Sequence, residues 1–556
     1  IVFVACILLT TFTSCLDDSS VYDYTKLNAP KWNTSAIVFE FRTGETARFE
    51  ASPYFTWAGD SAQRASEVRY EWTYGDVVFG TELDFEIPTN EFLNKIGMTN
   101  IDNENHYGLF NVIEKETGVT YSMRFDFKVL STYASGDWVV ISEKGSDTKL
   151  SYIRRARVDN QVVYSLTEDV YLTANGEDIV GRPLGMVRSE GSINIGLLGT
   201  MTIFTTDNVY EVNNESFMKV GHMEDAPCKV VARTDVYGMT DNKGQHTFVT
   251  DENGQLYRRM MSNNSLGGSF ETTPLVLDEK GYRITQFGLQ RQQFVNQPCW
   301  DELNRRFVYI TTYESGEATD SPFGPIFTGE TYRLSKLVAP TPMRGTEDAI
   351  AQKCAPVWNM PEGTEVLAIM FAKQSGNPFT GYNDLWTMIY NDASGNTHLT
   401  EFMINSQGQI IDGTDLTNQP FPGGNLTKES LFIASCNTYE YYYNKMNFLV
   451  YSKGNEIRWL DRSNAFNDNA YITLPDADDK VTYMGWTAWA NYGALVVGTE
   501  QGKLYIYEAT ISNSGATGTN PLLPNPKILA EFDLGGRVVS AKELDCERSV
   551  YMKEKY

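Results

Sequence analysis

Histidine and cysteine are scarce, with four and seven in 556 residues. His106, His222, His246 and His398 lie far apart, and no pair has H-E-x-x-H spacing, which excludes that zinc-hydrolase motif. No two cysteines stand in C-x-x-C spacing, which removes zinc-ribbon and thioredoxin-like chemistry. G-x-S-x-G, P-loop and G-x-G-x-x-G motifs are missing. Basic residues are few, 46 against 71 acidic, for a net charge of −25. That balance argues against nucleic acid or an anionic membrane surface as partner and suits solubility. After the first residues no stretch reaches the roughly 18 apolar residues of a spanning helix.

The apolar run Ile1–Leu9 is followed by Thr10-Thr11-Phe12-Thr13-Ser14, then Cys15-Leu16-Asp17-Asp18. An apolar core closed by small residues and a cysteine is a processing signal rather than a fold element. It resembles a bacterial lipoprotein signal, with Cys15 as the lipidated first residue of the mature chain and Phe12 where Leu is usual. Residues 1–14 are then expected to be a signal peptide lacking its N-terminal part. Asp17 and Asp18 resemble the export signal that sends lipoproteins of Bacteroidota to the outer face of the outer membrane. Two or more acyl chains on Cys15 would anchor the protein stably, at about 0.8 kcal/mol per buried CH₂. Residues 15–33 read as a polar lipidated tether. Five cysteines remain: Cys228, Cys299, Cys354, Cys436 and Cys546. Most are expected to be buried small hydrophobes, with one or two disulfides left open for an exported chain.

Short alternating runs separated by Gly, Asn, Asp and Ser, with 32 Tyr and 44 Gly, predict an all-β protein. Residues 34–131 suit an Ig-like β-sandwich. Val68, Tyr70 and Trp72 share one strand face, and Tyr121, Met123, Phe125, Phe127 and Val129 occupy the inward positions of another. Residues 132–556 repeat a different unit, an apolar strand, a polar turn and an aliphatic–aromatic strand. The hairpins start at Val139, Ile203, Phe248, Phe307, Met388, Phe448 and Leu495. Val209 to Leu256 and Ile457 to Leu504 are both 47 residues, and Leu399 to Ile457 is 58. A hairpin recurring at that period predicts a β-propeller of about seven blades, with strand Arg537–Ser540 completing the first.

Tyr70-x-Trp72, Val112-Ile113-x-x-x-Thr117-Gly118, Tyr121–Val129 and above all Gly136-Asp137-Trp138-Val139-Val140-Ile141-Ser142 resemble the PKD-like family of lipoproteins of Bacteroidota. The resemblance covers residues 15 to about 215. It implies an N-terminal Ig-fold domain before a large β domain. It also implies a role as accessory to a Sus-like importer, a TonB-dependent transporter with a SusD-like lid. It transfers no catalytic residue, cofactor or metal site.

Ligand-binding candidates are aromatic, because sugar C–H faces stack on rings. Trp486, Trp489 and Tyr492 form one cluster, Tyr441 and Tyr443 a second, and Trp300 stands beside Cys299. For each, core packing is the competing role. Asp476-Ala477-Asp478-Asp479 has carboxylates suited to Ca²⁺ but lacks the Gly and distal Glu of an EF-hand, so a solvated loop is expected. Thr312–Thr331 and Gln374–Asp384 read as long functional loops. The function these features indicate is a surface-exposed outer-membrane lipoprotein, not an enzyme, that binds an extracellular glycan or peptide for a Sus-like importer. The alternatives are a propeller-type extracellular hydrolase or lyase, whose carboxylates would come from separate blades, and an adhesin or scaffold.

Overall fold

The computed structural model describes residues 29–57, 61–98, 104–130, 133, 137–158, 161–189, 200–214, 216–237, 245–260, 269–289, 296–319, 326–377, 381–434, 448–486, 494–510 and 522–544. The chain is all-β and forms two units. The first comprises Ile1–Phe41, Thr46–Pro88 and Glu104–Val129, and the second comprises Arg42–Glu45, Thr89–Asn103 and Leu130–Tyr556.

In the first unit a five-stranded sheet has the order Ile37–Arg42, Thr120–Leu130, Asn105–Glu114, Val68–Tyr74, Val77–Gly80. Thr46–Glu50 pairs separately with Asp84–Pro88. Period-two patterning sets the faces. Met123, Phe125, Phe127 and Val129 are buried, while Tyr121 is half-buried. Phe49 packs at 5.4 Å from Trp72, 5.1 Å from Phe79 and 5.1 Å from Phe85, so the separate pair closes on the sheet through rings. Each such pair contributes about 0.5–1.5 kcal/mol beyond its buried area. Trp72 satisfies its one donor by bonding the Glu82 carbonyl at 2.9 Å.

Among the described residues the second unit contains seven sheets in chain order. Sheet I has Trp138–Lys144, Asp147–Val158 and Gln161–Thr167, and the late strand Val538–Glu543 pairs antiparallel with Trp138–Lys144. Sheet II is Pro183–Ser189, Thr200–Thr205 and Val209–Asn213. Sheet III is Ala232–Tyr237, Gln245–Thr250 and Leu256–Met260. Sheet IV is Ile284–Phe287, Asn296–Asp301, Arg306–Thr319 and Ile326–Val338. Sheet V is built on Glu365–Asn377, Gly381–Asn391 and Thr397–Asn405. Sheet VI is Phe432–Ala434, Phe448–Lys453, Glu456–Asp461 and Asn467–Thr473. Sheet VII is Val481–Trp486, Ala494–Thr499, Lys503–Thr510 and Leu522–Asp533. Each of the seven hairpins read from the sequence is an antiparallel pair at its expected place.

These strands are apolar on both faces because both faces are covered. Val139 and Ile141 join a cluster with Met201 and Ile203 of sheet II, while Trp138 and Val140 join one with Val496 and Ile506 of sheet VII. The alternation continues along the chain. Phe204 meets Val249 between sheets II and III, and Phe248 meets Val308 between III and IV. Phe307 meets Trp386 between IV and V, Met370 meets Leu449 between V and VI, and Val450 meets Leu495 between VI and VII.

Turn chemistry repeats as well. The Asp392 carboxylate accepts from the Ser394 and Asn396 backbone N–H groups, both at 2.9 Å. Asp251 does the same for Asn253 and Gln255, at 2.9 and 2.8 Å. Gly254 in that turn has φ +73°, and a Cβ there would lie 2.6 Å from the Ile284 backbone, so only glycine fits.

The described parts of two expected loops are strands instead. Within Thr312–Thr331 the ladder continues to the pair Thr319–Ile326, and within Gln374–Asp384 it continues to Asn377–Gly381. Threonine and tyrosine favour extended backbone, and the paired ladder outweighs the glycines between them. Among the described residues no helix is long and apolar enough to cross a membrane.

Candidate functional site

A cavity of about 530 Å³ opens in the second unit among three segments: Glu177–Val180, Thr205–Tyr210 and Lys219–Val230. The first segment leads from sheet I into sheet II, the second is the turn of the sheet II hairpin, and the third leads into sheet III. Gly181 allows the first two to approach. Its φ is +91°, and a Cβ would sit 2.8 Å from Thr205 Oγ1. Thr205 fixes the turn by donating to the Val180 carbonyl at 2.8 Å while accepting from Asn208 N–H at 3.0 Å.

The floor is apolar and aromatic, with Tyr210, Met223 and Val230 buried. The Tyr210 hydroxyl accepts from Val180 N–H at 2.9 Å, and its ring meets the Tyr171 ring edge-on at 5.7 Å. The Lys219 ammonium lies 5.9 Å from the Tyr210 ring centroid, and it pairs with Glu224 at 2.9 Å. The hydrogen bond to Glu224 raises the Lys219 pKa above its ordinary value. Tyr171 donates to Glu177 at 2.9 Å, and burial followed by that carboxylate pushes its phenol well up.

The rim carries the exposed carboxylates Glu177, Asp178, Asp207 and Glu224 and the exposed ammonium of Lys229. Cys228 is half-buried and free, and burial pushes its thiol up to about 11, so it stays protonated near neutrality and is not an activated nucleophile. An aromatic floor under a rim of acceptors and ammonium donors can hold a polar molecule through its hydroxyl or amide groups. Sequence reasoning missed this site because its residues come from three separated connections with no motif. Asp207-Asn208 was legible only as a turn.

The predicted site residues fall elsewhere. Trp486 is 6% exposed in the cluster between sheets VI and VII, and Trp300 is 4% exposed in the cluster between IV and V. Both are core residues, a correction to the expectation of ligand-stacking rings: their faces are already covered by protein. Cys15, Asp17, Asp18, Tyr441, Tyr443, Trp489 and Tyr492 lie outside the described residues. The Asp476–Asp479 segment is a turn. Asp476 accepts from Asp478 N–H at 2.9 Å, and Asp479 accepts from Gln501 N–H at 3.0 Å. Among the described residues no group of three or more His, Cys, Asp or Glu is placed to hold a metal ion.

Residues 15–183 match the PKD-like family. No curated protein matches the chain. Among solved structures, a quinonprotein alcohol dehydrogenase-like protein of Bacteroides thetaiotaomicron is 11% identical, covering 70% of this chain and 96% of its own, with a TM-score of 0.19. Apo AztD of Citrobacter koseri is 11% identical over 78% of this chain and 94% of its own, with a TM-score of 0.27. PorZ of Porphyromonas gingivalis, a surface component of the type-IX secretion system, is 10% identical over 71% of this chain and 39% of its own, with a TM-score of 0.32.

Proposed function

We propose that the protein is an accessory lipoprotein of the outer cell surface that binds an extracellular glycan or peptide for a Sus-like importer. In this reading Cys15 carries the lipid and Asp17-Asp18 direct export. The observation that carries it is a coincidence of position: the match to the PKD-like family begins at residue 15, the cysteine that closes the lipoprotein-like signal. The first unit then serves as spacer or as docking surface for the transporter.

The second unit is, in this reading, a seven-bladed β-propeller. Support comes from the seven sheets, each sharing a hydrophobic cluster with the next, from the cluster joining sheet VII to sheet I, and from the late strand that pairs into sheet I. A blade apolar on both faces needs a neighbour on each side, and a ring supplies one to every blade. The cavity around Tyr210 and Lys219 is the binding place among the described residues. Membrane fractionation of Cys15→Ala tests the anchor: release into the soluble fraction is expected, and retention in the outer membrane refutes it. Binding of glycan and peptide libraries to Lys219→Ala tests the cavity. Weakened binding by a folded variant is expected, and undiminished binding removes the cavity from the account.

A further inference from the structure

Six charged side chains line the cavity of the second unit: Glu177, Asp178, Asp207, Lys219, Glu224 and Lys229. Four of them have partners within the protein. Glu177 accepts from the Tyr171 hydroxyl at 2.9 Å, Asp178 pairs with Lys144 at 3.0 Å, and Glu224 pairs with Lys219 at 2.9 Å. Asp207 and Lys229 differ. Both are exposed, and among the described residues neither side chain has a hydrogen-bond or ion-pair partner. They do not pair with each other either. One carboxylate and one ammonium therefore stand uncommitted around a single space of about 530 Å³.

Asn208 adds a neutral group to the same rim. Its backbone is held by Thr205, whose hydroxyl accepts from the Asn208 N–H at 3.0 Å and donates to its carbonyl at 3.0 Å. Its side-chain amide is exposed and makes no hydrogen bond among the described residues. An amide offers a donor and an acceptor together, the complement of a peptide group. Below the rim, the buried Tyr210, Met223 and Val230 suit an apolar side chain.

Charge separates the two ligand classes. A neutral sugar laid across this rim would take water from Asp207 and Lys229 and give neither a counter-charge, which weakens binding. A molecule with an ammonium at one end, a carboxylate at the other and amides between them offers each group a partner. The volume lies within the roughly 300–1,000 Å³ of small-ligand pockets, so such a molecule is short. We propose that the cavity binds a short peptide with both termini free, its ammonium at Asp207, its carboxylate at Lys229 and a peptide group at Asn208. This rests on the reading of the cavity as the binding place, and it narrows the ligand from glycan or peptide to peptide.

The test is equilibrium dialysis of the protein against a mixed tripeptide pool, read by mass spectrometry. The pool is offered with free termini, N-acetylated, C-amidated and blocked at both ends, and maltotriose is the neutral sugar control. Saturable retention of the free pool is expected, each block weakening it about fivefold or more, as loss of one charged contact at a rim does. Asp207→Asn should remove the penalty for acetylation and leave that for amidation. Lys229→Gln should do the reverse. Both side chains are exposed, so neither change touches the core. Equal retention of the free and doubly blocked pools overturns the proposal, and so do block penalties that both variants keep. Maltotriose retained in place of the peptides, and lost from Lys219→Ala, would overturn the peptide while upholding the cavity. Retention of neither peptide nor sugar also overturns the proposal.

Discussion

Glu211 holds two guanidinium groups in a place closed to water. Its Oε1 lies 2.8 Å from Arg233 Nη1 and 2.8 Å from Arg259 Nη2, and its Oε2 accepts from Arg259 Nη1 at 3.0 Å. All three side chains are 0% exposed. Thr200 donates to the same carboxylate at 3.1 Å, and the Arg259 guanidinium also lies 5.0 Å from the Phe270 ring centroid. The group joins sheet II to sheet III. Glu211→Gln keeps the shape but removes the charge that Glu211 sets against two buried cations. Breaking a buried pair in this way costs about 3–5 kcal/mol. Replacing the whole group by apolar residues of similar volume is expected to be neutral or stabilising by about 1–4 kcal/mol, because its desolvation cost goes too. The exposed pair Arg48–Glu86, with side chains 67% and 57% exposed, is the control, and its loss should cost under about 1 kcal/mol. Urea unfolding followed by tryptophan fluorescence reads all three. A Glu211→Gln variant within about 1 kcal/mol of the parent would refute the reasoning, since it would mean the site is hydrated or rearranges freely.

Trp486→Ala should destabilise the protein by about 3–5 kcal/mol, as truncation of a buried ring does. A thermal melt that is unchanged while glycan binding falls would restore Trp486 as a ligand contact. Asp392 is held well below the usual carboxylate range, chiefly by the Asn396 backbone and side-chain bonds and then by His398. A depressed carboxylate contributes stability above its unfolded pKa and loses it as pH falls toward the folded value. Asp392→Asn should therefore melt below the parent at neutral pH, with the gap closing in acid, and a gap independent of pH would contradict this. For Lys542 the sign reverses. The folded group loses its proton near 8 and the unfolded one near 10.5. Between those values the unfolded chain holds more protons, so stability rises with pH. Lys542→Met should abolish that rise in denaturation midpoint and stabilise the protein near neutrality by on the order of 2 kcal/mol. A rise that persists in the variant would assign it to another group.

The hairpins were legible because their signal is local. Runs such as Val139-Val140-Ile141 and Leu495-Val496-Val497 are apolar at consecutive positions, as strands covered on both faces must be. The inward face of Thr120–Leu130 was legible for the complementary reason, since one wet face gives alternation. The polar joints between sheets were not legible. Thr202 and Glu211 are opposed across one hairpin, but Arg259 comes from the next sheet, 48 residues beyond Glu211. Thr387, Glu401 and Arg462 repeat the device between sheets V and VI, with Thr387 and Glu401 opposed and Arg462 donating to both. Neither set has a sequence spacing that announces it. The tryptophans misled because a ring that stacks on sugar and a ring that fills a core have the same chemistry. Only burial separates them, as at Trp300 and Trp486. Composition misled at Thr312–Thr331, where the described strands continue through a stretch rich in glycine and threonine.

The most direct test of the proposed role is recovery of the tagged protein from gently solubilised outer membrane, with mass spectrometry of what accompanies it. Near-stoichiometric recovery of a TonB-dependent transporter and a SusD-like lipoprotein is the predicted result. Recovery of the protein alone, with both importer components present in the same extract, would contradict the account.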